Sequence, residues 1–183
     1  MNPKGIIIFG CMGTGKTTLG RALAKELNFP HLDLDDYSYR WDTVVPFSAP
    51  YTKEDRIARL MHDISQHPHF VMSGQMWSIR EIFAPFFNLG VLITAPTEVC
   101  MGRYRSRVTQ RWGDRTLPGG DVHGVLVEGL ALTAQYETAE PPAVCLKRDE
   151  QWAEELPCPI LRVDGTKPIE ENAKWLAEKY LSL

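Results

Sequence analysis

The sequence lacks any cysteine pairing pattern. Its four cysteines, Cys11, Cys100, Cys145 and Cys158, form no C-x-x-C and no metal-ligand spacing. That excludes a recognisable disulfide framework or zinc site and fits reduced thiols in a cytoplasmic protein. Charge of one sign is also missing. Twenty Lys and Arg stand against 23 Asp and Glu, a formal net charge of −3. No global field therefore selects nucleic acid or an anionic membrane. No apolar run approaches the ~20 residues that span a bilayer. The apolar residues after Lys4 are soon interrupted by glycines and Lys16, so no signal peptide is expected. There is no internal repeat, low-complexity tract or linker, and His67, His69 and His123 have no partners at ligand spacing. A length of 183 residues with 44% hydrophobic composition suits one domain, residues 1–183, with a substantial core.

What is present is a phosphate-binding pattern. Gly10-Cys11-Met12-Gly13-Thr14-Gly15-Lys16-Thr17 reads G-x-x-x-x-G-K-T, the Walker A loop. The apolar run Gly5-Ile6-Ile7-Ile8-Phe9 before it reads as a buried strand, and residues 18–27 have helix composition. The chemistry explains the residue types. Glycines let the backbone turn its N–H groups around a phosphate, and the following helix presents its positive end to the same anion. Lys16 can reach the outer phosphates and the Thr17 hydroxyl can bind Mg²⁺, while Gly10, Met12, Gly13, Thr14, Gly15 and Thr18 complete the nucleotide cradle.

Further along, strands alternate with helices. Helices are expected over about 16–27, 53–66, 78–87, 97–112, 122–136, 147–156 and from 168 onward, and strands over 31–36, 69–72, 89–94 and 159–163. Residues 37–51, aromatic and proline-containing, read mostly as loop. This alternation argues for an α/β fold with a parallel sheet, in which ligands gather at the carboxyl ends of the strands. The phosphate loop, Asp33, Ser73-Gly74 and the Asp164-Gly165 turn all follow expected strands and so converge on one edge.

Two further groups carry chemistry. Asp33 and Asp35, one residue apart, face the same way on an extended strand. Beside a phosphate loop they can divide two tasks, holding the metal and orienting or deprotonating the attacking hydroxyl. The apolar strand that usually ends in a metal-binding aspartate here ends in Ser73-Gly74-Gln75, which leaves Asp33 as the natural source of that carboxylate. Arg103, Arg107 and Arg111 recur every four residues, a row on one helix face that leads into the glycine-containing loop around Arg115. A mobile lid over about 103–123 carrying these arginines could close over ATP, stabilise phosphoryl charge and exclude water. Arg56, Gly74 and Arg80 are candidates for holding the acceptor, and Trp41 and Trp77 for stacking on it.

The ordered set resembles small-molecule kinases of the adenylate kinase and shikimate kinase type. The pieces are the Gly10-to-Thr17 loop, Leu32-Asp33-Leu34-Asp35, Ser73-Gly74, the Arg103-to-Arg115 region and Val163-Asp164-Gly165-Thr166. Arg111-Trp112-Gly113-Asp114-Arg115 followed by Pro118-Gly119-Gly120-Asp121 further resembles a little-characterised bacterial group of adenylate kinase-like P-loop proteins. The resemblance implies a P-loop three-layer sandwich: a five-stranded parallel sheet in order 2-3-1-4-5, helices on both faces and a mobile lid. It also implies that Asp33 helps hold Mg²⁺ through water and that Asp35 lies by the acceptor hydroxyl. Arg103 or Arg107 then packs near the adenine, beside Asp164 and Gly165, and Arg111 and Arg115 approach the phosphates. The shikimate kinase glycine triplet is replaced by Ser73-Gly74-Gln75, and residues 41–51 are aromatic, so shikimate is not the expected acceptor.

The resulting expectation is an ATP- and Mg²⁺-dependent phosphotransferase, with catalysis by Lys16, Asp35, Arg111 and Arg115. The acceptor is a nucleoside, nucleotide or hydroxylated metabolite. The alternative is an adenine-nucleotide-dependent regulator without small-molecule kinase activity. No N-K-x-D motif supports a guanine-nucleotide switch. Neither membrane nor nucleic acid is an expected partner, and the oligomeric state is open.

Overall fold

The computed structural model describes residues 3–183, the side chain of Trp77 excepted, so the stacking expected of Trp77 lies outside what is described. Strand β1 (Lys4–Phe9) leads through the phosphate loop into helix α1 (Lys16–Leu27). Then follow β2 (His31–Asp33), α2 (Leu34–Ser38), α3 (Lys53–Ser65) and β3 (His69–Ser73). A short α4 (Arg80–Phe83), flanked by two single 3₁₀ turns, precedes β4 (Phe87–Thr94). The chain continues through α5 (Thr97–Trp112), α6 (His123–Gln135), α7 (Leu146–Glu155), β5 (Ile160–Asp164) and α8 (Ile169–Leu181). The strands form one five-stranded sheet in the order β2-β3-β1-β4-β5, and every pairing is parallel.

The alternation in β1 builds the two core layers. Ile7 and Phe9 face one side with Leu60, Phe70, Met72, Phe83 and Trp152. Ile6 and Ile8 face the other with Leu19, Leu23, Val91, Val163 and Leu176. Successive side chains on a strand point to opposite faces, so a central strand buried on both sides reads as a continuous apolar run. Helices α1 and α8 cover the second layer, while α3, α4 and α7 cover the first. A third, smaller cluster of Tyr104, Val108 and Val122 joins α5 to the start of α6. Among the described residues no helix is long and apolar enough to cross a membrane.

Local chemistry sets the boundaries. Thr52 caps α3, accepting the Asp55 N–H at 3.1 Å and donating to its carboxylate at 2.8 Å. Asn28 ends α1 in the left-handed conformation, φ 55°. Two expectations change. The helix expected over 78–87 shrinks to α4 and its flanking turns, because Pro85 cannot donate a helical hydrogen bond, and β4 begins at Phe87. The strand expected over 31–36 stops at Asp33, whose side chain accepts the Asp35 N–H and caps α2. Asp33 and Asp35 are therefore not strand neighbours on one face; Asp35 lies in the first turn of α2.

Gly10 shows how tightly the loop is seated. It has φ 142°, and a Cβ there would lie 2.2 Å from the Ile93 carbonyl oxygen of β4. Gly102, on exposed α5, would meet nothing within 4 Å. Gly10→Ala should destabilise the fold by about 3 kcal/mol, through backbone strain and overlap. Gly102→Ala should stabilise it by about 1 kcal/mol. Urea unfolding of the two variants checks the opposite signs.

Candidate functional site

A cavity of about 520 Å³ opens at the carboxyl ends of the strands, lined on one side by the phosphate loop. The loop adopts positive φ at Gly10, Gly13 and Gly15, the last capping α1. It is braced internally by the Cys11 carbonyl, which accepts Thr14 Oγ1 at 2.8 Å and Lys16 Nζ at 2.7 Å. Burial pulls the Lys16 ammonium below the usual lysine range, against the opposing pull of Asp35. A loop with a lysine folded back on its own carbonyl and the start of a twelve-residue helix behind it has the donors an oligophosphate needs.

Most of the expected loop residues line the cavity: Gly10, Met12, Gly13, Gly15, Lys16, Thr17 and Thr18. Thr14 is 1% exposed and spends its hydroxyl inside the loop. Asp33, Asp35, Gly74 and Arg107 line the same cavity. Asp35 is open to the cavity yet surrounded by protein. That enclosure, reinforced by Asp33, raises its pKa, while Lys16 and Arg107 act in the opposite sense. Among the described residues, no cluster of three or more His, Cys, Asp or Glu could cage a metal. Thr17 and Asp33 both line this cavity, and a hydroxyl and a carboxylate are oxygen donors of the kind Mg²⁺ takes beside phosphates and water.

The arginine row divides. Arg107 lines the cavity, its guanidinium 5.5 Å from the centre of the Tyr104 ring. Arg103 donates to the Gly165 carbonyl at 2.9 Å and ties α5 to the turn after β5. Gly165 packs against the Thr14 carbonyl, and Asp164 is occupied capping Thr166, so this turn braces the loop from outside the cavity lining. Arg111 does not reach toward the loop. It stacks between Trp41, at 5.1 Å, and Trp112, at 4.9 Å. Arg115 pairs with Asp121 at 2.7 Å and donates to the Val44 carbonyl at 2.6 Å. In this structure Arg111 and Arg115 form a clasp onto residues 41–47. Phe47, itself at φ 63°, contacts Tyr39, Trp41 and Trp112 by its ring edges or face. Trp41 stacks on Arg111 and donates to Asp36, rather than standing free for an acceptor.

Of the candidate acceptor residues, Gly74 lines the cavity. Arg56 lies behind the lining near Tyr39, with Nε and one terminal nitrogen buried and without a hydrogen-bond partner. Arg80 points elsewhere and pairs with Glu155 at 2.9 Å.

The cavity is also lined by residues that sequence reasoning missed: Tyr39, Phe47, Gln75, Glu128 and Tyr136. Behind them lies Asp149, only 3% exposed. Its carboxylate accepts the Tyr136 hydroxyl at 2.6 Å and the Gln75 amide at 3.0 and 3.2 Å. In the sequence Lys147-Arg148-Asp149-Glu150 looks like a solvated helix turn, and nothing there distinguishes the aspartate that turns inward. Gln75 carried the better signal, standing directly after Ser73-Gly74 at the end of a sheet strand.

With this geometry in hand, comparison with known proteins is informative. A family model described as an AAA domain matches residues 6–116, from β1 through the arginine-bearing helix and its following turn. The chain belongs to that family. Uncharacterized protein YqaC of Bacillus subtilis is 28% identical over 179 residues, covering 98% of both chains. A shikimate kinase of Gloeobacter violaceus is 29% identical over 161 residues, covering 77% of this chain and 89% of its own. The structure of shikimate kinase from Acinetobacter baumannii in complex with shikimate superposes with a TM-score of 0.59 at 18% identity, covering 98% of this chain and 94% of that one. The fold of this AAA-family chain is therefore that of the P-loop kinases of the adenylate and shikimate kinase type.

The buried carboxylate gives a stability test. Burial raises the Asp149 pKa above the carboxylate's ordinary value, outweighing its hydrogen bonds to Tyr136 and Gln75. An acid with a raised folded-state pKa favours the folded state most at low pH, and that advantage fades as pH rises through the folded value. Asp149→Asn should therefore melt at a higher temperature than the parent chain at pH 7–8. The gap should close as the pH falls through the raised pKa, as thermal unfolding across a pH series will show.

Proposed function

We propose that the chain is an ATP- and Mg²⁺-dependent phosphotransferase that phosphorylates a small-molecule hydroxyl, on a nucleoside, nucleotide or other hydroxylated metabolite. The observation that carries this reading is that Asp35 and the Lys16-bearing loop open into one cavity that aromatic and polar side chains also line. ATP with Mg²⁺ supplies the transferable phosphoryl group and neutralises part of its charge.

The chain's residues then have distinct tasks. The loop N–H groups and Lys16 bind the phosphates, and Thr17 and Asp33 hold the metal. Lys16 and Arg107, both lining the cavity, offset negative charge on the transferring group. Asp35 accepts the proton of the acceptor hydroxyl. Its enclosure makes it a stronger base than an ordinary carboxylate, and the two nearby cations favour its ionised form. Arg103 fixes the base of the lid beside Asp164 and Gly165, where an adenine ring would rest on backbone. Arg111 and Arg115 contribute by holding the lid to residues 41–47, which excludes water, rather than by touching phosphate. Gly74 offers backbone to the acceptor, and the orphaned nitrogens of Arg56 suit an oxygen-rich substituent behind Tyr39. No acceptor role is proposed for Arg80.

The chain, incubated with ATP, Mg²⁺ and fractionated metabolite pools, should yield a product heavier by one phosphate, detected by mass spectrometry. With that acceptor, Lys16→Ala and Asp35→Asn should each lower turnover by roughly a hundredfold or more. Unimpaired turnover in either variant would sink the assignment. ATP consumption stimulated only by a macromolecule would instead support the regulator.

The same reaction has a pH signature. Protonated Asp35 cannot accept a proton, so turnover should fall as the pH drops through its raised pKa. The pH–rate profile should therefore show an acidic limb displaced upward from the ordinary carboxylate range, and that limb should vanish from the residual activity of Asp35→Asn.

A further inference from the structure

The phosphoryl-transfer scheme leaves one enclosed carboxylate unused. Asp149 sits in the first turn of α7, its own N–H bonded to the Cys145 carbonyl at 3.2 Å. The side-chain hydrogen bonds it accepts come from uncharged donors, Tyr136 Oη and Gln75 Nε2. A carboxylate held out of water needs such donors, and a fold gains little stability by placing one there. The location suggests what it does instead.

Gln75 Nε2 has a second partner. It donates to the Gly10 carbonyl at 3.1 Å, at the point where β1 passes into the phosphate loop. A carboxylate only accepts, so Asp149 dictates which way the Gln75 amide is turned. The nitrogen faces Asp149 and Gly10, and Oε1 is the polar atom left to the cavity that Gln75 lines. Tyr136, which also lines the cavity, is held by the same carboxylate. One side chain thus connects the wall of the acceptor end to the root of the donor loop.

We propose that Asp149 is a positioning residue for the phosphate loop, acting through the Gln75 amide on the Gly10 carbonyl and through Tyr136 on the acceptor wall. This rests on the phosphotransferase reading for the identity of the loop's ligand. The consequence for substrate choice is that Gln75 Oε1 meets a hydroxyl or amine N–H of the acceptor, not a carbonyl or carboxylate oxygen.

Calorimetric titration of the full chain with ADP and Mg²⁺ is the test, because it requires no knowledge of the acceptor. Gln75→Leu and Asp149→Leu should each weaken ADP binding about tenfold, and the double variant also by about tenfold, since both act on one contact. Asp149→Asn retains an oxygen that can accept from Gln75 and should bind ADP within about threefold of the parent. If Asp149→Leu does not fold, Gln75→Leu and Asp149→Asn still decide the matter. Undiminished affinity in Gln75→Leu would overturn the proposal alone. So would additive losses in the double variant, or a loss in Asp149→Asn as large as that in Asp149→Leu, which would point to charge acting on Lys16. No ADP binding by the parent chain would overturn the phosphotransferase reading along with it.

Discussion

Backbone-to-backbone contact at the phosphate loop is the constraint on which the rest of the structure depends. The loop leaves β1 against the Ile93 carbonyl of β4 and then passes over α5, where a Cβ on Gly13 would lie 2.2 Å from the Cys100 carbonyl oxygen. The Gly165 turn closes on it from the other side, over the Thr14 carbonyl. Contacts this close leave no space for side chains and little freedom to the loop. They also locate everything else. The strand that feeds the loop must be central, and its neighbours must present their carboxyl ends beside it. That is the placement the order β2-β3-β1-β4-β5 provides.

Charge in the cavity is arranged around that loop with few groups. Lys16 and Arg107 are the basic side chains that line it, and Asp33, Asp35 and Glu128 the acidic ones. Lys16 projects from the phosphate loop, and Asp35 lies within electrostatic reach of both cations. Because Lys16 and Asp35 each act on the other's ionisation, removing either charge alters the protonation of its partner as well as its own function. The pair therefore behaves as one electrostatic unit.

The parts of this arrangement differ in how visible they are in the sequence. The loop was legible because its glycines, lysine and threonine are contiguous and flanked by strand and helix patterns. The sheet was legible because β1, β3 and β4 are buried on both faces and read as apolar runs. Asp35 was found, but on the wrong element. A capping aspartate turns the chain into a helix within one residue, and an alternating Leu-Asp-Leu-Asp pattern does not reveal where a strand stops. Helical spacing shows a row of guanidinium groups at Arg103, Arg107 and Arg111 without showing what meets them. The groups that meet Arg111 and Arg115, Trp41 and the Val44 carbonyl, lie about seventy residues earlier in a segment with no periodicity. Asp149 was invisible for a related reason, since inward and outward carboxylates on a short charged helix have the same local sequence.

The clasp has a consequence for how the protein responds to its ionic surroundings. Every contact described between the 41–47 segment and the lid joins a cation to a neutral partner or a ring to a ring. Arg111 lies on Trp41, Arg115 bonds to the Val44 carbonyl, and Phe47 packs on Trp112. The ion pair of Arg115 with Asp121 is internal to the lid. Dissolved salt screens attraction between opposite full charges in exposed positions far more than it weakens ring packing or a hydrogen bond to a carbonyl. Capture of a polyanion by the loop is, by contrast, an encounter between full charges. Raising the salt concentration should therefore weaken the loop's attraction for a polyanion while leaving the contacts of residues 41–47 with Arg111, Trp112 and Arg115 in place.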